Sequence, residues 1–391
     1  MKVKLGEVSV LINGDRGKNY PSQADILSDG DIPFVNAGHL DGRSIRLDEM
    51  SYITFEKYNQ LSSGKFRKGD ILYCLRGSLG KKAVVQEIVE GAIASSLVII
   101  RPDSQIIDAN YLILALDSPC IQNQLLKANN GSSQPNLSAA SVRAYEIDLP
   151  NKKVQEEIVN KFDKIQRVID ARKQQLQKLD ELVKARFVEM FGDPLADDMR
   201  YPKVQLGSLA DVGSSKRIFE KEYVNEGIPF YRTKEIVELS RGNRITTELF
   251  ITKERYDEIK KEYGVPQAGD LLISAVGTIG VIWIVDGRND FYFKDGNLLR
   301  IASSDRFAPI YLKYLLEALI GTYKLKMSSG TAYAALTISA LKEMLVYKVP
   351  LEEQNRFAAF VAEVDKSKLA VQQSLEKLET LKKSLMQQYF G

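Results

Sequence analysis

The stretch from Asn151 to Gly192 leaves the chain little choice of local structure. From Ile158 to Met190 it holds neither glycine nor proline. One set of positions advances by alternate steps of four and three: Ile158, Phe162, Ile165, Ile169, Arg172, Leu176, Leu179, Val183, Arg186 and Met190. That is the period of a coiled-coil seam. Charged residues and glutamine fill most positions between, so only one narrow stripe requires burial. Pro150 stands just outside the start, and Phe191-Gly192-Asp193-Pro194 supplies a glycine stop followed by proline. About forty residues at 1.5 Å each span roughly 60 Å. That is too long for one domain core and suits a strut.

Such a stripe needs a partner. After Pro350 the same alternation returns as Phe357, Val361, Val364, Lys368, Val371, Leu375, Leu378, Lys382, Leu385 and Tyr389, each 199 positions after its counterpart. Phe390-Gly391 answers Phe191-Gly192. Arg172 and Arg186 take positions where the second stretch has Val371 and Leu385, while Lys368 and Lys382 stand where the first has Ile169 and Val183. Polar seam positions fix register and partner at a cost in stability. The expectation is an antiparallel pair within one chain, its seam built from Ile158, Phe162, Ile165, Leu176 and Leu179 with Phe357, Val361, Val364, Leu375 and Leu378. The alternative is two independent amphipathic helices on separate domain surfaces.

The repeat reaches beyond the helices. Lys4-Leu5-Gly6 returns as Gln205-Leu206-Gly207, and Ile32-Pro33-Phe34 as Ile228-Pro229-Phe230. Gly69-Asp70-Ile71-Leu72 returns as Gly269-Asp270-Leu271-Leu272, Gly77-Ser78-Leu79-Gly80 as Gly277-Thr278-Ile279-Gly280, and Pro150 as Pro350. The chain reads as a duplication: a globular unit over 1–150, a long helix over 151–192, a second unit over 193–350, a second helix over 351–391. In each unit a Gly-Asp turn opens an apolar strand, Ile71–Leu75 or Leu271–Ala275. Further strands are expected at Ala83–Val89, Leu97–Ile100 and Tyr145–Leu149, and at Val281–Val285, Asn297–Ile301 and Leu345–Val349. Helix is expected over Tyr111–Lys127, interrupted at Pro119, and over Pro309–Met327. The fold class that follows is α+β: two homologous mixed α/β domains separated by two long antiparallel coiled-coil helices.

Composition narrows the function classes without choosing one. The formal net charge of +3 is mildly basic, which permits nucleic-acid binding without demanding it. Two cysteines, Cys74 and Cys120, make no disulfide framework and suit a reducing cytoplasm. No run of eighteen apolar residues and no signal-like start argues for membrane or export. The single histidine, His39, excludes most histidine-based metal sites and reads as a loop residue. No G-x-x-x-x-G-K-[ST], no Pro-Pro pair of an adenine methyltransferase motif, no H-E-x-x-H, C-x-x-C or G-x-S-x-G occurs. The Gly77–Gly80 and Gly277–Gly280 segments read as tight turns rather than phosphate cradles. The chain is not expected to be an enzyme, to hold a metal, or to bind a cofactor.

What remains is binding chemistry in polar loops of small and basic residues. The first unit offers Arg16 and Lys18, then Arg76, Ser78 and Lys81, then Ser132, Ser133, Gln134 and Asn136. The second offers Lys216 and Arg217, Arg232 and Lys234, Arg241 and Arg244, Thr278, and Thr331 and Tyr333. Lys and Arg neutralise phosphates, Ser and backbone N–H groups position them, and Arg, Asn and Gln can read base edges bidentately. Taken alone, each loop reads as a solvated turn before it reads as a DNA contact. The pattern is that the apolar framework repeats while loop content differs between halves, so one scaffold presents two recognition surfaces.

In this order, and repeated twice, the motifs resemble the specificity (S) subunit of type I restriction–modification systems over essentially the whole chain. The matching pieces are Lys4-Leu5-Gly6, Ile32-Pro33-Phe34, Gly69-Asp70-Ile71-Leu72, the Gly77–Gly80 turn, the loop before Pro150, and the helix with Gln155-Glu156 ending in Phe191-Gly192-Asp193-Pro194. Pro350-Leu351-Glu352-Glu353-Gln354 matches the family's helix start more closely than Pro150-Asn151-Lys152-Lys153-Val154-Gln155, which lacks its Pro-Leu-x-x-Gln form. The resemblance implies two target-recognition domains, each reading one half of a bipartite double-stranded DNA site, with the helix pair as a ruler. It implies two modification (methyltransferase) subunits carrying S-adenosylmethionine, and restriction subunits using ATP, as partners in the cytoplasm. A coiled-coil scaffold with two non-DNA interaction modules is the competing class.

Overall fold

The computed structural model describes residues 1–88, 90–129, 136–196, 200–328 and 335–391, with backbone alone at 325–328. The chain forms two compact units, Met1–Lys173 with Gln373–Gly391, and Gln174–Gln372. The two 40-residue helices, Lys152–Phe191 and Leu351–Phe390, each contribute one part to each unit.

In the first unit the central sheet is antiparallel, in the order Ser9–Asn13, Leu97–Pro102, Ile71–Cys74, Lys82–Val84. Ile71-Leu72-Tyr73-Cys74 is an unbroken apolar run because both faces of its strand are covered. Ile71 and Tyr73, with Val98 and Ile100, pack on Tyr111, Leu112 and the other residues of a helical layer. Leu72 and Cys74, with Leu97 and Ile99, pack on Phe66 and Ile93 of a second sheet. That second sheet runs Tyr52–Ile53, Ile32–Val35, Glu90–Ile93, Lys65–Arg67, and its middle pair is parallel. The helical layer is Ala109–Leu116 and Pro119–Ala128, broken at the proline as expected, with Ser118 capping Ile121 N.

The second unit repeats the plan with Val212–Gly213, Leu298–Ile301, Leu271–Ser274 and Ile282–Ile284, and a three-stranded second sheet of Phe250–Ile251, Ile228–Tyr231 and Tyr292–Phe293. One difference is local. After Ile228–Tyr231 comes a helix, Thr233–Ser240, where the first unit has a single turn, Ala37–His39. The Tyr231–Lys234 stretch, read from sequence as a loop, is therefore a helix start. His39 is buried, and its Nδ1 accepts the Asn36 N–H at 3.1 Å.

Two buried polar devices recur in both units. Asp70 and Asp270, which the sequence marks only as turn residues, are each about 1% exposed and take an arginine from the adjoining strand: Arg101 for Asp70, Arg300 for Asp270. Gln155 and Gln354 are equally buried. Gln155 Oε1 accepts from Asp108 N at 2.8 Å and its Nε2 donates to Ile106 O and Pro150 O. Gln354 Oε1 accepts from Ala308 N at 2.7 Å and its Nε2 donates to Val349 O. Each glutamine thus ties the start of a long helix to the domain before it, and Gln155 does so without the Pro-Leu that precedes Gln354. Gln354→Leu keeps the volume but strands one N–H and one carbonyl. It should cost about 2–3 kcal/mol, read as a lowered midpoint in urea; an unchanged midpoint would mean water replaces the amide.

Within each unit the helix segments run antiparallel. In the first, Phe162 packs on Tyr389 and Phe390, and Lys382 Nζ donates to Gln166 Oε1 at 2.7 Å. In the second, Phe187 and Phe191 pack edge-on against Phe357, and Lys368 pairs with Asp180 at 2.5 Å. The seam is uneven. Ile158, Phe162, Phe357, Val361 and Val364 are buried in the two cores, whereas Ile165, Leu176, Leu179, Leu375 and Leu378 are only half-buried. Arg186, a seam position by spacing, lies over the Phe360 ring and pairs with Glu189. Phe187, one position on, is the residue that is buried there, stacked on Tyr311.

Candidate nucleic-acid interface

Strand register decides which loops meet. In the first unit Asn13 opposes Val98 and Cys74 opposes Leu97, so both strands end where Leu97–Pro102 begins. The loops 14–20, 75–81 and 94–96 therefore emerge along one rim of the sheet. The first is pinned by Asp15, whose Oδ1 accepts Gly17 N and whose Oδ2 accepts Ser62 N and Oγ, each at 2.8 Å. The Gly17 and Ser62 amides hold that carboxyl below the usual aspartate range. On this loop Arg16 reaches Ser95 O at 3.4 Å and Lys18 is exposed.

The second loop turns at Gly77 and Gly80, with φ of +79° and +76°, values that favour glycine. Gly77–Gly80 and Gly277–Gly280 are tight turns, as read from sequence. Arg76 bridges to Asn136, and Leu137 N donates to Leu75 O at 2.8 Å, so the start of the segment after Pro135 joins the same rim. Arg76, Ser78 and Asn136 are exposed and Lys81 half-exposed. The rim gathers Arg16, Lys18, Arg76, Ser78, Lys81 and Asn136. Ser132, Ser133 and Gln134 lie outside the described residues.

In the second unit Gly213 opposes Arg300 and Ser274 opposes Leu298, which builds the corresponding rim from 214–217, 275–281 and 294–297. Lys216, Arg217 and Thr278 stand on it, all exposed. Lys216 Nζ lies 4.8 Å from the Tyr263 ring centre, and Arg217 Nε donates to Asp295 at 2.7 Å. Lys294 N donates to Tyr231 O at 2.9 Å, which brings the Arg232 backbone to the rim. There Arg232 is folded back on buried Glu235, with its N–H at 2.8 Å and Nη2 at 3.1 Å from the carboxylate. Among the described residues no hydrogen bond or ion pair joins Arg241 or Arg244 to the rim loops. Eight helical residues carry the chain about 12 Å before Arg241, which pairs with Glu238. Thr331 and Tyr333 lie outside the described residues.

Charge sorts these groups further. Lys18, Arg76, Lys234 and Arg244 are exposed and pair with no carboxylate among the described residues, so they are available to phosphate. Arg217, Arg232 and Arg241 are already held by carboxylates. Ser95, Asn36, Lys294 and Asp295 also occupy the rims, and sequence reading passed over them. Their only signal was position, just outside a strand end, which identifies nothing without the register.

Among the described residues no group of three or more His, Cys, Asp or Glu is placed to hold a metal ion, and no helix is long and apolar enough to cross a membrane. A cleft of about 1290 Å³ in the first unit lies beside the helix segments, lined by Arg43, Asp117, Asp170, Lys173, Glu379 and Lys382 among others.

A family model described as the type I restriction modification DNA specificity domain matches residues 1–181 and again 200–381. A putative type I restriction enzyme specificity subunit of Haemophilus influenzae is 27% identical over 263 residues, 65% of this chain and 61% of that protein. The type I restriction enzyme EcoBI specificity subunit of Escherichia coli is 24% identical over 217 residues, 54% of this chain and 45% of that one. The chain thus spans less than two thirds of either relative's length. Two solved structures share the fold across the full chain. One, from work on complex assembly and conformational transition of a type I R-M system, has a TM-score of 0.66 at 20% identity and is covered to 97%. The other, the S subunit of a type I restriction-modification system from M. genitalium, has a TM-score of 0.56 at 15% identity and is covered to 96%.

Proposed function

Because the chain belongs to the type I restriction modification DNA specificity family, we propose that it is the DNA-specificity subunit of a type I restriction–modification complex. Each unit reads one half of a bipartite double-stranded target with its rim. The long helices set the number of unread base pairs between the halves and dock two modification subunits. The chain supplies recognition and no bond-making chemistry. S-adenosylmethionine belongs to the modification subunits, and ATP to restriction subunits that join them. The two free thiols, Cys74 and Cys120, suit work in a reducing cytoplasm.

The observation that carries this reading is one rim built twice on one framework with different side chains. Register places Arg76 of the first unit where the second has Val276, and Asn136 where it has Ala335. The first unit offers Ala94-Ser95-Ser96 where the second offers Lys294-Asp295-Gly296-Asn297. Apolar positions that build the sheet are largely kept in kind, Arg300 at the place of Ile99 excepted, while groups able to meet base edges change. That is the pattern expected of two readers of two different sequences. A net charge of +3 gives the chain alone little counterion-release affinity, so tight binding falls to the assembled complex.

The test is methylation-site sequencing of a random plasmid library exposed to the full chain co-expressed with its modification subunits. A motif of two specific blocks and an unread spacer is expected. Removing one heptad from each helix shortens the strut by about 10 Å, roughly three base pairs. The blocks should stay the same while the preferred spacer shortens. An unchanged spacer defeats the role given to the helices, and a single-block motif defeats the bipartite reading.

A further inference from the structure

Lys18 and Arg76 are exposed and pair with no carboxylate among the described residues, so they could follow any phosphate, while Arg232 is folded back on its own helix start. Arg217 differs. Its backbone is fastened on both sides: Ser214 Oγ donates to Leu298 O at 2.9 Å and accepts from Gly296 N, Lys216 N donates to Tyr292 Oη at 2.7 Å, and Ile218 is fully buried. Its side chain is 67% exposed, yet Nε is clamped by Asp295 Oδ2 at 2.7 Å, and that carboxylate is itself only 12% exposed. The other oxygen, Oδ1, lies 3.5 Å from Lys294 Nζ. The carboxylate therefore holds the inner edge of a planar guanidinium, and the two terminal amino groups have no partner among the described residues.

A guanidinium pinned through Nε presents its Nη1 and Nη2 donors as a fixed fork. Two parallel donors match the O6 and N7 acceptors of guanine in the major groove, a pattern no other base offers. Asp15 and Glu235, the other buried carboxylates at the rims, accept backbone amides, whereas Asp295 is paired only with the cations Arg217 and Lys294 among the described residues, so what it holds in place is a guanidinium. Register makes the contrast with the first unit direct. Arg16 occupies the position of Arg217, but its partner is the Ser95 carbonyl at 3.4 Å, and it pairs with no carboxylate among the described residues.

We infer that Arg217 reads a guanine in the half-site of the second unit and that Asp295 is its positioning residue. This rests on the DNA-reading function proposed above and adds the base and the groups that recognise it. The experiment is the same plasmid-library methylation assay, run with the full chain and its modification subunits, for wild type, Arg217→Lys, Arg217→Ala and Asp295→Asn. Wild type should show at least one guanine in the half-site that changes when residues 193–350 are exchanged. Both Arg217 variants should lose preference at that one position by roughly 5- to 150-fold, with the other half-site and the spacer intact. Lysine keeps the charge and loses the fork, so its failure to rescue separates base reading from phosphate contact. Asp295→Asn should relax the same position while the thermal midpoint stays that of wild type, a split that a merely structural residue would not give.

Retention of the guanine in Arg217→Lys, an equal loss on all sequences, or a loss at a position that is not guanine would overturn the assignment while leaving the DNA-reading function intact. Absence of any two-block motif from wild type would overturn both.

Discussion

Asp270→Ala should lower the stability of the second unit by about 3–5 kcal/mol, the usual cost of removing one partner of a buried ion pair. The carboxylate takes three bonds: Oδ2 accepts Arg300 Nε at 2.6 Å and Gln267 N at 2.8 Å, and Oδ1 accepts Ser303 N at 2.8 Å. Alanine leaves two amides and a largely buried guanidinium unpaired. At a few degrees per kcal/mol for a unit of this size, the midpoint of thermal unfolding should fall by about 6–20 °C. The single tryptophan, Trp283, is buried in this unit on the strand beside Leu271–Ser274 and reports the transition by its fluorescence. Replacing Asp270 and Arg300 together by leucine and methionine should recover part of the loss, because no charge is then stranded although the Gln267 and Ser303 amides still lack their acceptor. A single-variant loss below about 1 kcal/mol would place the pair with solvent-screened surface bridges and defeat the argument.

The device is built differently in the two units. Asp70 is held by Arg101 through Nε and Nη2, both at 2.8 Å. By register, Arg300 lies two strand positions before the place equivalent to Arg101, since Ile100 opposes Ile71 while Ile301 opposes Leu271. Two positions keep the same sheet face, so either arginine reaches the turn. A pairwise comparison of the halves at fixed offset misses the arginine for this reason.

Phe390→Ala should cost the first unit about 3–5 kcal/mol, as for a phenylalanine removed from a packed core. Phe390 is 4% exposed, with its ring 5.4 Å from Tyr111 and 6.3 Å from Phe162. Phe191 does the same in the second unit against Tyr311 at 5.0 Å and Phe357 at 5.6 Å. Hydrogen exchange at the amides of Ala109–Leu116 is the most direct readout, since that helix carries Tyr111. Its protection should fall sharply in Phe390→Ala and stay near wild type in Leu381→Ala, a change at an exposed position of the same helix. Equal effects from the two would show that Phe390 adds no more than helix propensity.

Much of the framework could be read in advance. The long helices, the strands from Ile71 and Leu271, and the break at Pro119 all follow from periodicity, glycine and proline, which act over a few residues. Strands such as Ser9–Asn13 and Ile32–Val35 could not. They are short, Ser9–Asn13 has a polar residue at each end, Ile32–Val35 contains Pro33, and Ile32–Val35 pairs in parallel with Glu90–Ile93, far along the chain. The helix Thr233–Ser240 was hidden because Arg232-Thr233-Lys234 looks like a basic loop, and its capping carboxylate, Glu235, looks like surface charge until it is found buried.

The amino-acid order determined the duplication, the two long amphipathic helices and the family resemblance, because each is a matter of spacing along the chain. Tertiary structure alone decided which charged groups are spent on the fold and which face outward. Asp270 and Arg300 are 30 residues apart, and Arg217 and Asp295 are 78 apart. Strand register brings each pair within hydrogen-bond reach, and register is set by the packing of two sheet faces at once, which no local window contains.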